Sequence, residues 1–256
     1  MIHYVHPALT ERFNVTVVGA GGNGSQMLTC LARLHHAITA LGHEGFELTV
    51  YDPDTVSPAN IGRQMFSPSD VGAAKVDVLI TRINSFFGLA WQARPVRFDT
   101  HDRADLVIAC VDSPKSRAEV RRLIHSVPYL LDLGNRAADG QALLGQILPA
   151  RGKDAVGRLD LPDPYKLLPE LVNTQGKQDD APSCSLAEAL ARQELFINDD
   201  VTRVASLILW NLLRHGQISW HGAFVNAASG RRAPIAVDPD VWARMTLGTS
   251  TKGKRK

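Results

Sequence analysis

The sequence of 256 residues is poor in cysteine and contains no CxxC pair. Its three cysteines, Cys30, Cys110 and Cys184, are odd in number and far apart, which argues against a disulfide framework. The missing CxxC pairs also argue against a structural zinc site with four cysteine ligands. We therefore expect a reduced protein without structural zinc, in which Cys30 and Cys110 are core residues.

The sequence also lacks a long hydrophobic run and an excess of one charge. No apolar stretch reaches the roughly 18 residues that a membrane-spanning helix needs, and residues 1–7 lack the pattern of a signal peptide. There are 28 Lys and Arg against 26 Asp and Glu, and four of the basic residues lie in the last five positions. We therefore expect a soluble, cytoplasmic protein that binds neither membranes nor nucleic acid, with a disordered basic tail at 249–256.

What the sequence does contain is an alternation of strand and helix patterns. The β-branched run at 14–18 predicts a buried strand that ends at Gly19. Apolar residues then recur at helical spacing from Met27 to Leu41, and a second strand is predicted at 46–51, ending at Asp52. A strand, a glycine turn, a helix and a strand in this order form a βαβ unit with parallel strands.

The alternation continues over most of the chain. It predicts helices near 73–87 and 115–126 and strands near 91–98, 104–111 and 128–134. We expect an α/β fold, a doubly wound, Rossmann-like and mostly parallel sheet with helices on both faces. A Pro- and Gly-rich loop at 150–183 follows, then a helical region that begins with a capping box at Ser185 and stops at Gly216. Short strands near 218–226 and 233–237 would complete a single domain spanning 1–248.

The glycine turn is the first candidate for chemistry. Gly19, Gly21, Gly22 and Gly24 lie between a predicted strand and a predicted helix. Glycines there allow a phosphate to approach the helix N-terminus closely. Asp52, at the end of the next strand, is placed to accept hydrogen bonds from ribose hydroxyls. The alternatives are glycines kept for packing and an aspartate that caps a loop.

Further residues distinguish the kind of nucleotide. Arg63 and Lys75 would bring two cations towards the phosphates, and Asp112, after the 104–111 strand, offers an oxygen ligand suited to Mg²⁺. A dinucleotide dehydrogenase needs little beyond the glycines and the ribose acid. Two cations and a metal-binding carboxylate describe a triphosphate better than a nicotinamide.

These motifs in order resemble those of the ThiF/MoeB/HesA family, whose adenylation fold is shared with ubiquitin-activating E1 enzymes. The resemblance is carried by residues 19–25, by the run Asp-x-Asp-x-Val-x-x-x-Asn-x-x-Arg-Gln from Asp52 to Gln64, and by Lys75. It covers about 13–148. The segment 182–198 is similar to one branch, the ThiF-like protein of the PRTRC plasmid and genomic-island system.

The resemblance implies an enzyme that uses ATP and Mg²⁺ to adenylate the C-terminal carboxylate of a ubiquitin-like, β-grasp protein, and that forms a homodimer. The roles that it implies are phosphate binding by the glycines, ribose binding by Asp52, phosphate binding and polarisation by Asn60 and Arg63, a supporting contact by Gln64, charge neutralisation by Lys75 and Mg²⁺ coordination by Asp112. This chemistry consists mostly of positioning and charge stabilisation.

Two features depart from the family pattern, and the role of one cysteine has two interpretations. The CxxC pairs of zinc-containing members are absent, and Arg12 lies too close to the first strand of the βαβ unit to replace the N-terminal arginine of many members. Cys184 precedes a predicted helix start, which would lower a thiol pKa, so it is either a nucleophile that accepts the activated carboxylate as a thioester or a packing residue. A nucleotide-binding scaffold without catalysis and an NAD-dependent oxidoreductase remain the alternative functions.

Overall fold

Ten strands occur in the part of the chain that the computed structural model describes, which comprises residues 1–99, 103–151, 159–175, 187, 191 and 193–251. They are β1 (His3–Tyr4), β2 (Phe13–Val18), β3 (Phe46–Tyr51), β4 (Gln92–Arg94), β5 (Leu106–Ala109), β6 (Tyr129–Asn135), β7 (Asp139–Gln146), β8 (Gln217–Ile218), β9 (Trp220–Asn226) and β10 (Arg231–Ala236). Eight of them form one sheet, and β1 pairs with β8 separately.

Six α-helices whose bounds are described accompany these strands. They are α1 (Gly22–Ala40), α2 (Lys75–Phe87), α3 (Pro114–Leu123), α4 (Pro164–Leu167), α5 (Ile197–His215) and α6 (Pro239–Thr251). Gly216 ends α5 in the left-handed region at φ +67°, a conformation that costs glycine little because it has no Cβ. Within the described residues, no helix combines the length and the apolarity needed to cross a membrane.

The central sheet has a parallel half and an antiparallel half. Its strand order is β10-β9-β7-β6-β5-β2-β3-β4. The four pairings from β6 to β4 are parallel, and the three from β10 to β6 are antiparallel. The chain therefore turns back beside β2, so that β3 and β5 lie on opposite sides of it, and ligands bind at such switch points in open α/β sheets.

Helices cover both faces of the sheet, because alternate residues of each buried strand point to opposite sides. On one face, Val17 and Ile108 pack in the core that also contains buried residues of α1, α2 and α5. On the other face, Val107 and Leu130 pack against Val120 of α3 and Tyr165 of α4. This arrangement confirms the predicted doubly wound α/β fold.

Several boundaries and elements differ from the expectations drawn from sequence. The strand predicted at 91–98 is only three residues long, and the final strands number three rather than two. The segment 150–183 is not wholly a loop, since α4 and a 3₁₀ turn (Pro169–Val172) lie within it. Strand β7 and helix α6 were not predicted from the sequence. Helix α6 extends to Thr251, three residues into the segment predicted as a disordered tail.

Candidate nucleotide-binding site

The carboxyl ends of the parallel strands bring most of the predicted site residues to one edge of the sheet. Gly19 follows β2, Asp52 follows β3, and Asp112 lies three residues beyond β5. The helix α1 begins at this edge, directly after the glycine turn. Because the backbone N–H groups of a first helical turn have no partners within the helix, this position suits an anion.

At two positions of the glycine turn, backbone atoms leave no room for a side chain. Gly19 has φ +96°, and a Cβ there would lie 2.7 Å from the carbonyl oxygen of Cys110 on the neighbouring strand segment. A Cβ on Gly24 would overlap the carbonyl oxygen of Gly19. At Gly21, in contrast, the nearest atom to an added Cβ would be Nε2 of Gln64 at 3.9 Å. The turn is therefore closed towards the sheet and open at Gly21.

Asp52 holds the glycine turn in place. Its Oδ2 accepts a hydrogen bond from the backbone N–H of Ala20 at 2.6 Å, and its Oδ1 accepts one from the N–H of Asp54 at 2.8 Å. Burial raises the pKa of Asp52 above its ordinary value, although these two donors and the charge of Lys75 act in the opposite direction. The loop-anchoring role considered from sequence is thus present, and each carboxylate oxygen keeps a lone pair for a ribose hydroxyl.

Lys75 lies at the start of α2 with its side chain 9% exposed. Its ammonium group donates to Oδ2 of Asp54 at 2.9 Å, and its backbone N–H donates to the carbonyl of the same residue. Asp54 is mostly exposed, so it can turn towards water when an anion takes over the lysine charge. The structure places Lys75 close enough to Asp52 to act on the pKa of that carboxyl group.

The segment between β3 and α2 carries the other predicted phosphate ligands. Asn60 accepts hydrogen bonds on Oδ1 from the N–H and the hydroxyl of Ser57. The guanidinium of Arg63 donates from Nη1 to Oε1 of Gln193 at 2.9 Å, while its Nε is buried without a partner, and burial lowers the pKa of this group. Gln64 is 7% exposed, and its Oε1 also has no partner.

A second group of unpaired polar atoms belongs to the start of α1 and to α5. In the described residues, the buried side-chain atoms without a hydrogen bond also include Oδ1 of Asn23, Nδ2 of Asn198 and Oγ1 of Thr202. Asn198 is 1% exposed and packs against Gly22, where an added Cβ would lie 2.6 Å from its side chain. Unpaired buried polar groups cost stability, so these atoms are candidates for contacts with a ligand.

Sequence reasoning missed these three residues. Asn198 and Thr202 lie one turn apart on α5, about 175 positions away from Asn23 along the chain, so that no local motif connects them. The sequence feature that could have identified Asn198 and Thr202 is their spacing of four, which places two polar residues on the otherwise apolar face of a helix. Asn23 also donates to Oδ1 of Asn135 at 2.9 Å, which links the turn to the end of β6.

Asp112 is exposed at the carboxyl edge of the sheet, as a metal ligand at a phosphate site must be. No cluster of three or more His, Cys, Asp or Glu residues that could enclose a metal exists among the described residues. Mg²⁺ at phosphate sites is commonly held by one or two carboxylates together with substrate phosphates and water. The residues present fit that kind of binding and not an enclosed metal site.

The three cysteines occupy different positions. Cys110 is buried directly after β5, where burial raises the pKa of its thiol, and Cys30 is half-buried on α1. Cys184, the candidate nucleophile, lies outside the described residues, as does the capping box predicted at Ser185. Residues 187 and 191 are helical in the backbone.

Comparison with known families agrees with this geometry. Residues 9–192 match the ThiF family, which is well over half of the chain. The chain belongs to the ThiF family. A curated relative, the NEDD8-activating enzyme E1 catalytic subunit of Dictyostelium discoideum, is 31% identical over 139 residues, which is 51% of this chain but only 29% of that protein. The chain therefore corresponds to less than a third of that relative.

Solved structures with a similar fold include MccB of E. coli, alone and together with MccA, and PaaA. The MccB–MccA structure has a TM-score of 0.56 at 13% identity and covers 90% of this chain and 65% of the other. The PaaA structure has a TM-score of 0.54 at 14% identity with the same coverage. At such identities the likeness establishes the fold, and this chain spans about two thirds of either protein.

Proposed function

We propose that this ThiF-family protein uses ATP to adenylate the C-terminal carboxylate of a small ubiquitin-like, β-grasp protein. The observation that carries the proposal is the geometry at the start of α1, where Asp52 anchors the glycine turn, Lys75 acts on the charge of Asp52, and Gln64, the neighbour of Arg63 in sequence, lies beside Gly21. Membership of a family that includes relatives of E1 enzymes supports the reaction class, and the E1 name of one relative supports a ubiquitin-like partner.

The site provides what attack on an α-phosphate requires. The turn and the α1 N-terminus would bind the phosphates through backbone N–H groups, with Asp52 on the ribose and Asn60 and Gln64 supporting the chain of phosphates. Arg63 and Lys75 would neutralise charge as the carboxylate oxygen attacks the α-phosphorus and pyrophosphate leaves. The acyl-adenylate and pyrophosphate are the products, so no general base is needed for an already ionised carboxylate.

Mg²⁺ would supply additional neutralisation of the triphosphate when it is bound, and Asp112 is the residue that would hold it. Asn23, Asn198 and Thr202 would pair with polar groups of the bound substrates, which would satisfy the buried atoms described above. A homodimer and the PRTRC branch of the family stay predictions from sequence.

A nucleotide-binding scaffold without catalysis is the second candidate, favoured by the position of Arg12. Its guanidinium pairs with Glu47 near the amino end of β3, at the edge of the sheet opposite the glycine turn. Arg12 therefore contributes no cation to the nucleotide site of its own chain. If no other arginine takes that role, binding would persist without rapid adenylation.

Pyrophosphate exchange separates these functions. The enzyme, given ATP, Mg²⁺ and a β-grasp partner, should move labelled pyrophosphate into ATP, whereas a scaffold should bind ATP without exchange. Calorimetry should show tighter binding of ATP with Mg²⁺ than of NAD⁺. Equal or tighter binding of NAD⁺ would favour the oxidoreductase instead and contradict the assignment to ATP.

We also propose that Cys184 receives the activated carboxylate as a thioester, with AMP as the leaving group. ATP, Mg²⁺ and partner should then give a covalent complex that thiol reductants cleave and that is absent in Cys184→Ser. Cys30→Ser is the matched control and should still form the complex. A partner that is adenylated but never trapped on the protein would return Cys184 to a packing role.

A further inference from the structure

A buried ion pair lies directly beneath the segment that carries Asp112. Arg117 of α3 is 6% exposed, and its Nε donates to Oδ1 of Asp132 on β6 at 2.9 Å. Asp132 has no exposed surface and also accepts hydrogen bonds from the hydroxyl of Tyr165 and from Nε2 of Gln141. Isolated buried charges are costly, so a pair with this many partners has one fixed geometry.

The other two nitrogens of Arg117 connect that pair to the edge of the sheet. Nη1 donates to the backbone carbonyl of Asp112, and Nη2 donates to the carbonyl of Leu133, each at 3.3 Å. One planar guanidinium thus joins the loop after β5 to β6. Among the described residues, the exposed carboxylate of Asp112 accepts no hydrogen bond of its own, although its charge acts on Arg117, so the bond from Arg117 to the Asp112 carbonyl holds this position.

We infer that Arg117 is a positioning residue for the metal–nucleotide site, which acts by fixing the backbone of Asp112 so that its carboxylate points towards the phosphates. The inference rests on the proposed function. Asp132 and Tyr165 belong to the same device, because they fix Arg117. Residues that orient a metal ligand from behind typically change metal affinity by about 10- to 100-fold when they are replaced.

Arg117→Lys is the direct test. Lysine keeps the charge opposite Asp132 but cannot also donate in the fixed fork that reaches both backbone carbonyls. Calorimetry of ATP binding should show that the gain in affinity given by Mg²⁺ falls about tenfold, while the affinity for ATP without metal stays unchanged. A purely structural role would weaken both forms of binding together. Tyr165→Phe, which leaves all charges in place, should shift the metal dependence in the same direction by less.

The matched control is Arg121→Lys on the same helix. Arg121 pairs with Asp163 at the start of α4, at 2.8 Å, and its hydrogen bonds go to Asp163 and Ile124, not to Asp112. The Arg121→Lys variant should bind ATP with the same dependence on Mg²⁺ as the wild-type protein. A double-mutant cycle is also informative, because Arg117→Lys should cost nothing further once Asp112→Asn has removed the ligand that it positions.

The outcomes separate this inference from the proposed function. Wild-type protein whose ATP binding gains nothing from Mg²⁺ would contradict both. Mg²⁺-dependent binding that is unchanged in Arg117→Lys and Tyr165→Phe, or that falls additively with Asp112→Asn, would overturn the positioning role alone. Pyrophosphate exchange without any effect of Arg117→Lys on its Mg²⁺ requirement would do the same.

Discussion

At the scale of single residues, the candidate site is distinguished by polar groups that are buried but incompletely paired. Arg63, Gln64, Asn23 and Asn198 each leave a side-chain atom without a hydrogen bond. A bound nucleotide and carboxylate would supply the missing partners, so that binding energy would offset a cost already present in the folded protein. Under the proposed function, these unpaired atoms are where the ligands would bind.

Arg63 gives the sharpest test at this scale. Charge on the departing pyrophosphate grows in the transition state, so Arg63→Ala should lower the exchange rate about 100-fold and ATP affinity by less than about tenfold. Exchange kinetics and calorimetry on the same preparation measure the two quantities. Arg33→Ala, which removes an exposed arginine of α1, is the control and should leave both unchanged. Equal losses in rate and affinity would mean that Arg63 only binds the ground state.

At the scale of elements, the glycine turn allows the end of β2 and the start of α1 to pack in close contact. Gly24 lies against the carbonyl of Gly19, and Gly19 lies against the carbonyl of Cys110, so the helix begins within contact distance of two strand ends. Only glycine permits this approach, since any Cβ would meet backbone atoms that cannot move away. The same closeness brings the first N–H groups of α1 to the candidate site.

Two alanine substitutions distinguish packing from binding in this turn. Gly24→Ala should lower the free energy of unfolding by about 1–3 kcal/mol, because the new methyl overlaps backbone. Gly21→Ala meets only the end of a flexible side chain at 3.9 Å, so it should leave stability nearly unchanged but weaken ATP binding by placing a methyl group at the open side of the turn. Urea unfolding and calorimetry check the pair. A larger stability loss for Gly21→Ala would contradict the assigned packing.

At the scale of the whole molecule, a buried histidine connects the last helix to the sheet. His221 of β9 has no exposed surface, and its ring nitrogens lie 2.7 Å from the carbonyl of Leu144 and 2.8 Å from Nε1 of Trp242. The tryptophan N–H must donate, so Nε2 accepts and the ring is neutral with its proton on Nδ1. Burial, aided by the charge of His3, lowers the pKa of His221 to about 4, against a hydrogen bond to Leu144 that raises it.

This pKa predicts that stability falls with acidity in a defined range. The unfolded histidine titrates near pH 6.5, so between pH 6.5 and 4 the unfolded state binds more protons than the folded state. The stabilisation is complete above pH 6.5 and is lost progressively down to pH 4, by about 2 kcal/mol at pH 5. Urea unfolding at pH 7.5 and 5 measures it. His221→Gln should reduce the difference, whereas His125→Gln, on an exposed histidine, should retain it.

Local patterns in the sequence were sufficient for the parallel half of the fold. The predicted strand at 46–51 coincides with β3, and the predicted strand at 14–18 and the helix before Gly42 match β2 and α1 within a few residues. Each of these depends on periodicity and on glycines within one short stretch. Asp52 could be chosen for the same reason, since it directly follows a strand, whereas Arg63 and Lys75 were chosen as the two cations in the stretch that comes after it.

Only the tertiary structure decided the antiparallel half and the second group of site residues. Strand β7 pairs with β9, about 80 positions later in the chain, and no local pattern records such a pairing. The contact of Asn198 with Gly22 and the three bonds of Arg117 likewise join distant segments. Sequence determines where strands and turns begin because those depend on neighbouring residues. The choice of partners across the sheet, and with it the polar surroundings of the site, depends on how the whole chain packs.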